Sequence, residues 1–193
     1  MSGCRYGRVV PEAAGGWTVY GERAAYDNPW VRVQLVDVEA PDGSRFDYHV
    51  VELASIAVAV IVNDQDQVLL LWKYRFPTDQ WGYEMPGGMV DDGEESAVSA
   101  ARETAEESGW RVTGEPEHLL SIEPLPGQVR AQVDAYLWRG AQHVGDPTDP
   151  EEVGNVEWVD VARIPELVAR GQVLGAATAT ALLYYFSTRS SGR

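Results

Sequence analysis

The stretch GMVDDGEESAVSAARETAEESGW, residues 88–110, indicates both the fold and the chemistry of this chain. It begins as a glycine-containing loop. Residues 94–108 then lack glycine and proline and are rich in alanine and glutamate, a composition that predicts a helix. Gly109 follows at the place where a glycine commonly ends a helix in the left-handed conformation. The stretch therefore predicts a loop that leads directly into a well-bounded helix.

Three glutamates share one face of the predicted helix. Glu103, Glu106 and Glu107 lie at positions i, i+3 and i+4, which brings their Cβ atoms within about 6 Å of each other. Such a cluster repels itself, and a divalent cation would turn the repulsion into attraction. Carboxylate oxygens favour Mg²⁺, with Mn²⁺ also possible, and the lack of nearby His and Cys argues against zinc. Taken alone, the pattern also fits an acidic, solvated helix face.

The residues around the glutamates support a metal site. Gly87 and Gly88 follow Pro86 in a strand-to-helix loop, where the missing Cβ atoms let the backbone approach a metal or a phosphate closely. Arg102 carries a rigid planar guanidinium that is suited to holding carboxylates such as Glu94 in place. We therefore expect Arg102 to orient the acidic side chains.

The rest of the chain alternates strand patterns with few helices. Residues 1–54 form an N-terminal unit and residues 55–193 the main domain, because the pattern shifts near Ser55. The predicted fold class is α/β: a sandwich with a mixed central sheet and a small N-terminal antiparallel meander. Strands are predicted at 17–26, 30–39, 46–53, 56–62, 68–74, 81–85, 117–122, 132–138 and 156–160, and further helices at 164–170 and 175–187.

Composition excludes several classes of function. The 193 residues carry 30 acidic and 15 basic side chains, a formal charge of -15, which disfavours binding to nucleic acid or to an anionic membrane. The longest apolar run, residues 56–62, is too short to cross a membrane. Cys4 is the only cysteine, so no intrachain disulfide is possible, and we predict a cytoplasmic protein that acts on a small molecule.

Residues 88–110 resemble the Nudix box position by position, with Thr104 where that motif usually has leucine. The matching fixed positions are Gly88, Glu94, Arg102, Glu103, Glu106, Glu107 and Gly109. The resemblance implies a Nudix-type α/β/α sandwich that hydrolyses phosphoric anhydrides with divalent cations. It implies Glu103, Glu106, Glu107 and the Gly87 carbonyl as metal ligands, and it places Arg102 and Glu107 in the catalytic centre.

Segments outside the box are similar to the ADP-ribose pyrophosphatase branch of that superfamily. They are residues 28–30, 73–75 and 81–88 and the pair Pro126-Gly127. This resemblance implies a homodimer whose N-terminal strands cross to the partner subunit. The residues expected to bind substrate are Trp30, Arg75, Trp81, Glu84 and Arg130, although Arg130 also fits an exposed surface arginine.

Glu152 is the first candidate for the catalytic base and Glu151 the second, since bases in that branch commonly come from an acidic loop at this place. The implied reaction is Mg²⁺-dependent cleavage of a nucleoside diphosphate derivative, with ADP-ribose giving AMP and ribose 5-phosphate as the leading case. The residues after Pro126-Gly127 depart from the family pattern, which leaves nucleotide sugars and other nucleoside diphosphate derivatives open. A nucleotide-binding module without hydrolysis is the remaining alternative.

Overall fold

The computed structural model describes residues 16–148 and 154–189. The chain divides into two compact units. The first comprises the residues up to Ala54 together with Leu125–Ala131, and the second comprises Ser55–Pro124 and the residues from Gln132 onward. The segment 125–131 lies within the predicted main domain but clusters with the first unit in the structure.

A four-stranded sheet forms the first unit. Its strands, in spatial order, are β1 (Thr18–Asp27), β2 (Arg32–Glu39), β3 (Arg45–Glu52) and β10 (Val129–Arg130). β1, β2 and β3 form the predicted antiparallel meander, whereas β10 pairs with β3 in parallel. The Asp42 carboxylate accepts a hydrogen bond from the Ser44 backbone N–H at 2.9 Å, and Gly43 has a φ of 83°, so the sequence Pro-Asp-Gly forms the β2–β3 turn.

The first unit buries little of its own surface. Val36 and Val38 on β2 are buried, and every residue of β1 is exposed. Trp17 packs edge-on against Phe46 and Tyr48, with ring centroids 6.1 and 6.4 Å away. Because β1 contributes no buried residue to a core, its apolar side chains remain available for other contacts.

A seven-stranded mixed sheet is the centre of the second unit. Five strands follow the order β13-β5-β4-β11-β9, while β6 pairs with β5 and β7 with β4. β4 and β11 run parallel and the other pairs are antiparallel. A separate two-stranded sheet pairs β12 with β8. The strands of this unit are β4 (Ile56–Val62), β5 (Gln67–Arg75), β6 (Gln80–Glu84), β7 (Gly87–Met89), β8 (Trp110–Val112), β9 (Glu117–Ile122), β11 (Val133–Arg139), β12 (Ala141–His143) and β13 (Gly154–Asp160).

Helices cover both faces of this sheet because the buried strand β4 is apolar on both sides. Its residues Ala57, Ala59 and Ile61 pack with Ala100 of α1 (Ser96–Ser108). The alternate β4 residues pack with α2 (Ile164–Ala169) and α3 (Ala176–Arg189), and a short 3₁₀ turn, Val161–Arg163, precedes α2. Each fully buried aliphatic side chain contributes about 1.5–3 kcal/mol. The unit is the predicted α/β sandwich with a mixed sheet.

Helix α1 ends where the sequence predicts and begins two residues later. Gly109 adopts a φ of 72°, and its N–H donates to the Ala105 carbonyl. A Cβ atom at Gly109 would lie 2.0 Å from the Gly145 carbonyl oxygen, so only glycine fits this position. The predicted start at Glu94 was wrong because Glu95 is extended and the Glu94 N–H donates to the Asp91 carbonyl, as in a turn. No helix in the described residues is long and apolar enough to span a membrane.

Candidate active site

The glutamate-bearing face of α1 is organised around one arginine. Arg102 donates from Nε and Nη2 to both oxygens of Glu94, at 3.1 and 3.0 Å. Its Nη1 donates to Glu103 Oε1 at 2.7 Å and to Glu106 Oε2 at 3.1 Å. Arg102 therefore holds three carboxylates at once, which fits the orienting role expected of it.

The contacts between Arg102 and Glu94 shift the pKa of both groups. The hydrogen bonds from Arg102 hold the pKa of Glu94 below its usual value, with the charge of Arg102 adding to the effect. In return, the hydrogen bond to Glu94 is the largest contribution that raises the pKa of Arg102. Glu94 and Arg102 therefore remain charged throughout the neutral pH range.

Glu107 lies apart from this cluster and is held by different partners. Its Oε1 accepts a hydrogen bond from Lys73 Nζ at 2.7 Å, and its Oε2 accepts one from the Gly87 backbone N–H at 2.9 Å. Glu107 and Lys73 are both buried. The salt bridge therefore connects α1 to β5, and the hydrogen bond connects α1 to the glycine loop.

Both loop glycines leave room for close neighbours, the backbone at Gly87 and a side chain at Gly88. Gly87 has a φ of 151°, and a Cβ atom there would lie 2.3 Å from the Ala57 carbonyl oxygen. A Cβ atom on Gly88 would lie 2.5 Å from the Glu103 carboxyl carbon. Gly88 thus leaves the space that the Glu103 carboxylate occupies.

The donor set fits a hard divalent cation in its chemistry. Within residues 16–148 and 154–189, no three Asp, Glu, His or Cys side chains already converge as they would around one ion. Two carboxylates nevertheless share one positively charged group, because Glu103 and Glu106 both accept from Arg102 Nη1. The carboxylate atoms that could bind a cation here are all oxygens, which Mg²⁺ and Mn²⁺ prefer. The residues thus fit the predicted metal type.

Two of the residues predicted to bind substrate pair with each other. Arg75 forms a bidentate ion pair with Glu84, with Nε and Nη2 at 2.9 and 2.7 Å from the two carboxylate oxygens. Trp81 is half exposed, and its ring centroid lies 5.5 Å from that of Tyr74. These side chains lie on the β5–β6 hairpin, and their role in substrate binding stays a prediction.

The other two predicted substrate residues belong to the first unit. Trp30 is 71% exposed. The backbone N–H of Trp30 donates to Asn28 Oδ1 at 2.9 Å, as in a turn. Arg130 forms ion pairs with Glu22 and Glu52. Arg130 is therefore not a free surface cation, and an anionic substrate would have to compete with both carboxylates for it.

Glu151 and Glu152, the two candidate bases, lie outside the described residues. The segment before them is fixed to α1, because the Thr148 N–H donates to the Glu106 carbonyl at 2.8 Å and the Val144 N–H donates to the Gly109 carbonyl. After them, Gly154 pairs with Lys73 in the β13–β5 ladder. The chain therefore enters the segment 149–153 beside Glu106 and leaves it beside Lys73.

Lys73 is the main residue that sequence reasoning missed as part of the centre. The notable signal is a lysine at the end of the apolar strand 68–72, where a charged side chain needs a buried partner if the strand is central. Its partner Glu107 is 34 residues away in sequence. Only the folded sheet shows that the two groups meet.

The NUDIX domain family matches residues 53–177, which is more than half of the chain. The chain belongs to the Nudix family. A second family, the nucleoside diphosphate sugar hydrolase N-terminal domain, matches residues 17–51 of this Nudix protein.

Among curated relatives, the CMP-5'-(N-acetyl-N-hydroxy-3-aminopropyl)phosphonate hydrolase of Streptomyces rubellomurinus is 37% identical over 167 residues, which cover 86% of this chain and 81% of that protein. The ADP-ribose pyrophosphatase of Mycobacterium tuberculosis is 27% identical, with coverage of 76% and 72%. These matches confirm the prediction of a Nudix pyrophosphohydrolase in the ADP-ribose pyrophosphatase-like branch.

A solved structure described as an ADP compounds hydrolase superposes with a TM-score of 0.78 and 19% identity, covering 94% of this chain and 99% of that one. At this identity the likeness concerns the fold alone. It confirms the predicted Nudix-type α/β fold.

Proposed function

We propose that this Nudix pyrophosphohydrolase cleaves the phosphoric anhydride of a nucleoside diphosphate derivative with the help of Mg²⁺ or Mn²⁺. The ligands would be Glu103, Glu106, Glu107 and the Gly87 carbonyl. The observation that carries the proposal is the arrangement of the carboxylates on α1, where Arg102 holds Glu103 and Glu106 and Lys73 separately holds Glu107. When bound, the cations would neutralise phosphate charge and favour ionisation of the attacking water.

The chain's own groups have separate tasks in this proposal. Arg102 keeps Glu94 and Glu103 aimed by charge-assisted hydrogen bonds, and Lys73 holds Glu107. Glu152, or Glu151 as second choice, would accept the proton of the attacking water. The water oxygen forms a bond to one phosphorus, the bridging P–O bond breaks, and the leaving group departs as a phosphate.

ADP-ribose, cleaved to AMP and ribose 5-phosphate, is the first substrate candidate. The names of the Mycobacterium tuberculosis relative and of an ADP-ribose pyrophosphatase of Bacillus subtilis, 26% identical, support it. Nucleotide sugars and other nucleoside diphosphate derivatives are the wider class. A CMP-linked phosphonate is the second candidate, because the relative with 37% identity bears that substrate in its name.

A substrate panel with product identification tests this proposal. ADP-ribose, nucleotide sugars, a CMP-linked phosphonate and nucleoside triphosphates are incubated with Mg²⁺ or Mn²⁺, and the products are identified by mass spectrometry. Glu106→Gln and Glu107→Gln should each remove most of the activity. Glu166→Gln, an exposed glutamate on α2, is the matched control. Full activity of both site variants would overturn the metal assignment, and tight nucleotide binding without turnover would favour the non-hydrolysing alternative.

We also propose a cytoplasmic homodimer that does not bind nucleic acid or membranes. The exposed strand β1, with the large apolar residues Val19, Tyr20 and Tyr26, supports a partner on the first unit. The net charge of -15 supports the absence of a nucleic acid partner. Sedimentation equilibrium of the full chain measures the oligomeric state, and a monomer at micromolar concentration would contradict the dimer.

A further inference from the structure

The face of β5 and β13 that points away from α1 contains a cavity that the proposed reaction does not use. Successive strand residues point to opposite faces, so Lys73 reaches Glu107 on α1 while Trp72 points to the other side of the sheet. The register pairs Asn155 with Trp72, and Glu157 lies two residues further along β13. These side chains therefore share the face opposite the glutamate cluster.

The cavity has a volume of about 300 Å³, at the lower end of the range for small-molecule sites. Its lining is mostly polar: an acid, a guanidinium, two amides and a phenol lie beside one indole and one leucine. The residues that matter here are Trp72, Tyr83, Asn155, Glu157, Arg163 and Gln172. The polar groups that line the cavity need hydrogen-bond partners, which water or a polar ligand can supply.

Two opposite charges share this cavity with one hydroxyl group. The Tyr83 hydroxyl donates to Glu157 Oε2 at 2.7 Å. Burial raises the pKa of Tyr83, the hydrogen bond and charge of Glu157 raise it further, and the positive charge of Arg163 partly lowers it. Both charged groups thus act on the same phenol.

The two charges do not neutralise each other by direct contact. Within the described part of the chain, Arg163 forms no salt bridge with any carboxylate, Glu157 included. One carboxylate oxygen of Glu157, Oε2, accepts the hydrogen bond from Tyr83, and Oε1 takes no part in it. A guanidinium and a carboxylate that share a cavity without pairing provide complementary ends for a ligand of two charges.

We propose that this cavity binds a small zwitterion of the amino acid or aminophosphonate class, with its ammonium group on Glu157 and its acidic group on Arg163. The amides of Asn155 and Gln172 can both donate and accept hydrogen bonds to the remaining polar atoms. Trp72 lines the cavity and packs edge to face with Tyr83, with ring centroids 4.7 Å apart, so the ligand would contact this aromatic pair. A nucleoside monophosphate fits less well, because its phosphate meets only Arg163 while Glu157 repels it.

Isothermal titration calorimetry on the full chain in EDTA tests the proposal. The probes are L-phenylalanine and 3-aminopropylphosphonate, with 3-phenylpropionate lacking the ammonium group and phenethylamine lacking the carboxylate. At least one zwitterion should bind saturably and more tightly than either single-charge analogue. Arg163→Gln and Glu157→Gln should each weaken that binding by about tenfold or more. Arg170→Gln, an exposed arginine paired with Glu166, is the matched control.

Hydrolysis of the best substrate should be unchanged in Arg163→Gln, because this residue lies on the face of the sheet away from Glu107. Thermal unfolding checks that the variant is folded, which we expect for an exposed side chain without an ion pair. The absence of saturable binding by both zwitterions would overturn the proposal. Equal zwitterion affinity in wild type and in folded Arg163→Gln would overturn it as well.

Discussion

Lys73 Nζ lies 2.7 Å from Glu107 Oε1, and this ion pair is buried on both sides, with side-chain exposures of 4% and 5%. Two full charges inside a domain are tolerated only when each neutralises the other. The pair joins the central strand β5 to the helix that carries the glutamate cluster. The candidate active site and the packing of the sandwich therefore depend on the same contact.

Lys73→Met should destabilise the protein by about 3–5 kcal/mol, because Glu107 would remain buried without its counter-charge. Urea unfolding followed by circular dichroism measures the change. The double variant Lys73→Met/Glu107→Met should lose less unfolding free energy than the two single variants lose together. Arg139→Met removes an exposed pair with Glu117 and should cost less than about 1 kcal/mol. Wild-type stability of Lys73→Met would show that the pair is not needed.

Gly88→Ala should lower activity with little loss of stability. The new Cβ would lie 2.5 Å from the Glu103 carboxyl carbon, and the end of a flexible side chain can move away from it. We therefore expect a displaced Glu103, a fall in kcat and a higher requirement for Mg²⁺. Gly21→Ala is the control, since a Cβ there has no neighbour within 4 Å. An unchanged Mg²⁺ dependence would mean that Glu103 does not bind the cation.

Arg102→Lys should reduce kcat by about 10- to 100-fold, the usual range for removing a partner of a metal ligand. Lysine keeps the positive charge but lacks the planar fork that holds Glu94, Glu103 and Glu106 together. Steady-state kinetics at saturating Mg²⁺ is the measurement. Arg170→Lys on the exposed surface should have wild-type kcat. A wild-type rate in Arg102→Lys would indicate that charge alone is sufficient.

The surroundings of Asp134 predict a contribution to the free energy of unfolding that is lost in acid. Partial burial would raise its pKa, but hydrogen bonds from Ser121, Gln132 and Ser96 outweigh burial and lower the pKa below the usual value. A carboxyl group with a lowered folded pKa stabilises the protein above its unfolded pKa of about 3.9, and this contribution is lost as pH falls through the folded pKa.

Asp134→Asn should therefore be less stable than wild type at pH 7, and the difference should shrink as the pH approaches 3. Chemical unfolding at several pH values measures it. In a Ser96→Ala background the same substitution should show a smaller pH dependence, since one of the donors that lower the pKa is gone. A difference that stays constant between pH 7 and pH 3 would disprove the assignment.

Local sequence signals predicted much of this fold. The run 56–62 forms β4 with the predicted ends, and Gly109 ends α1 because its backbone must turn left-handed. Thr104 occupies the slot that usually holds leucine and is fully buried, and its hydroxyl donates to the Ala100 carbonyl at 2.7 Å. A residue that satisfies its own polar group within the helix can pack in place of leucine.

Short and non-local elements were not predictable in this way. β7, β8, β10 and β12 have two or three residues each, too few for a periodic pattern, and they exist only because a distant strand offers backbone partners. β10 is an example, since Val129 and Arg130 pair with β3 almost 80 residues earlier. Within the site, the contact of Arg102 with Glu106 follows from their i, i+4 spacing, whereas the Lys73–Glu107 contact requires the fold.

The hydrogen bond from the Thr148 N–H to the Glu106 carbonyl has a consequence for how this family member can diversify. A hydrogen bond between backbone groups does not depend on which side chains follow it in the sequence. Residues 149–153, which include the two proposed bases Glu151 and Glu152, can therefore change identity while the point of attachment beside Glu106 stays constant. A change of acid in this segment would therefore leave the backbone contact to α1 in place.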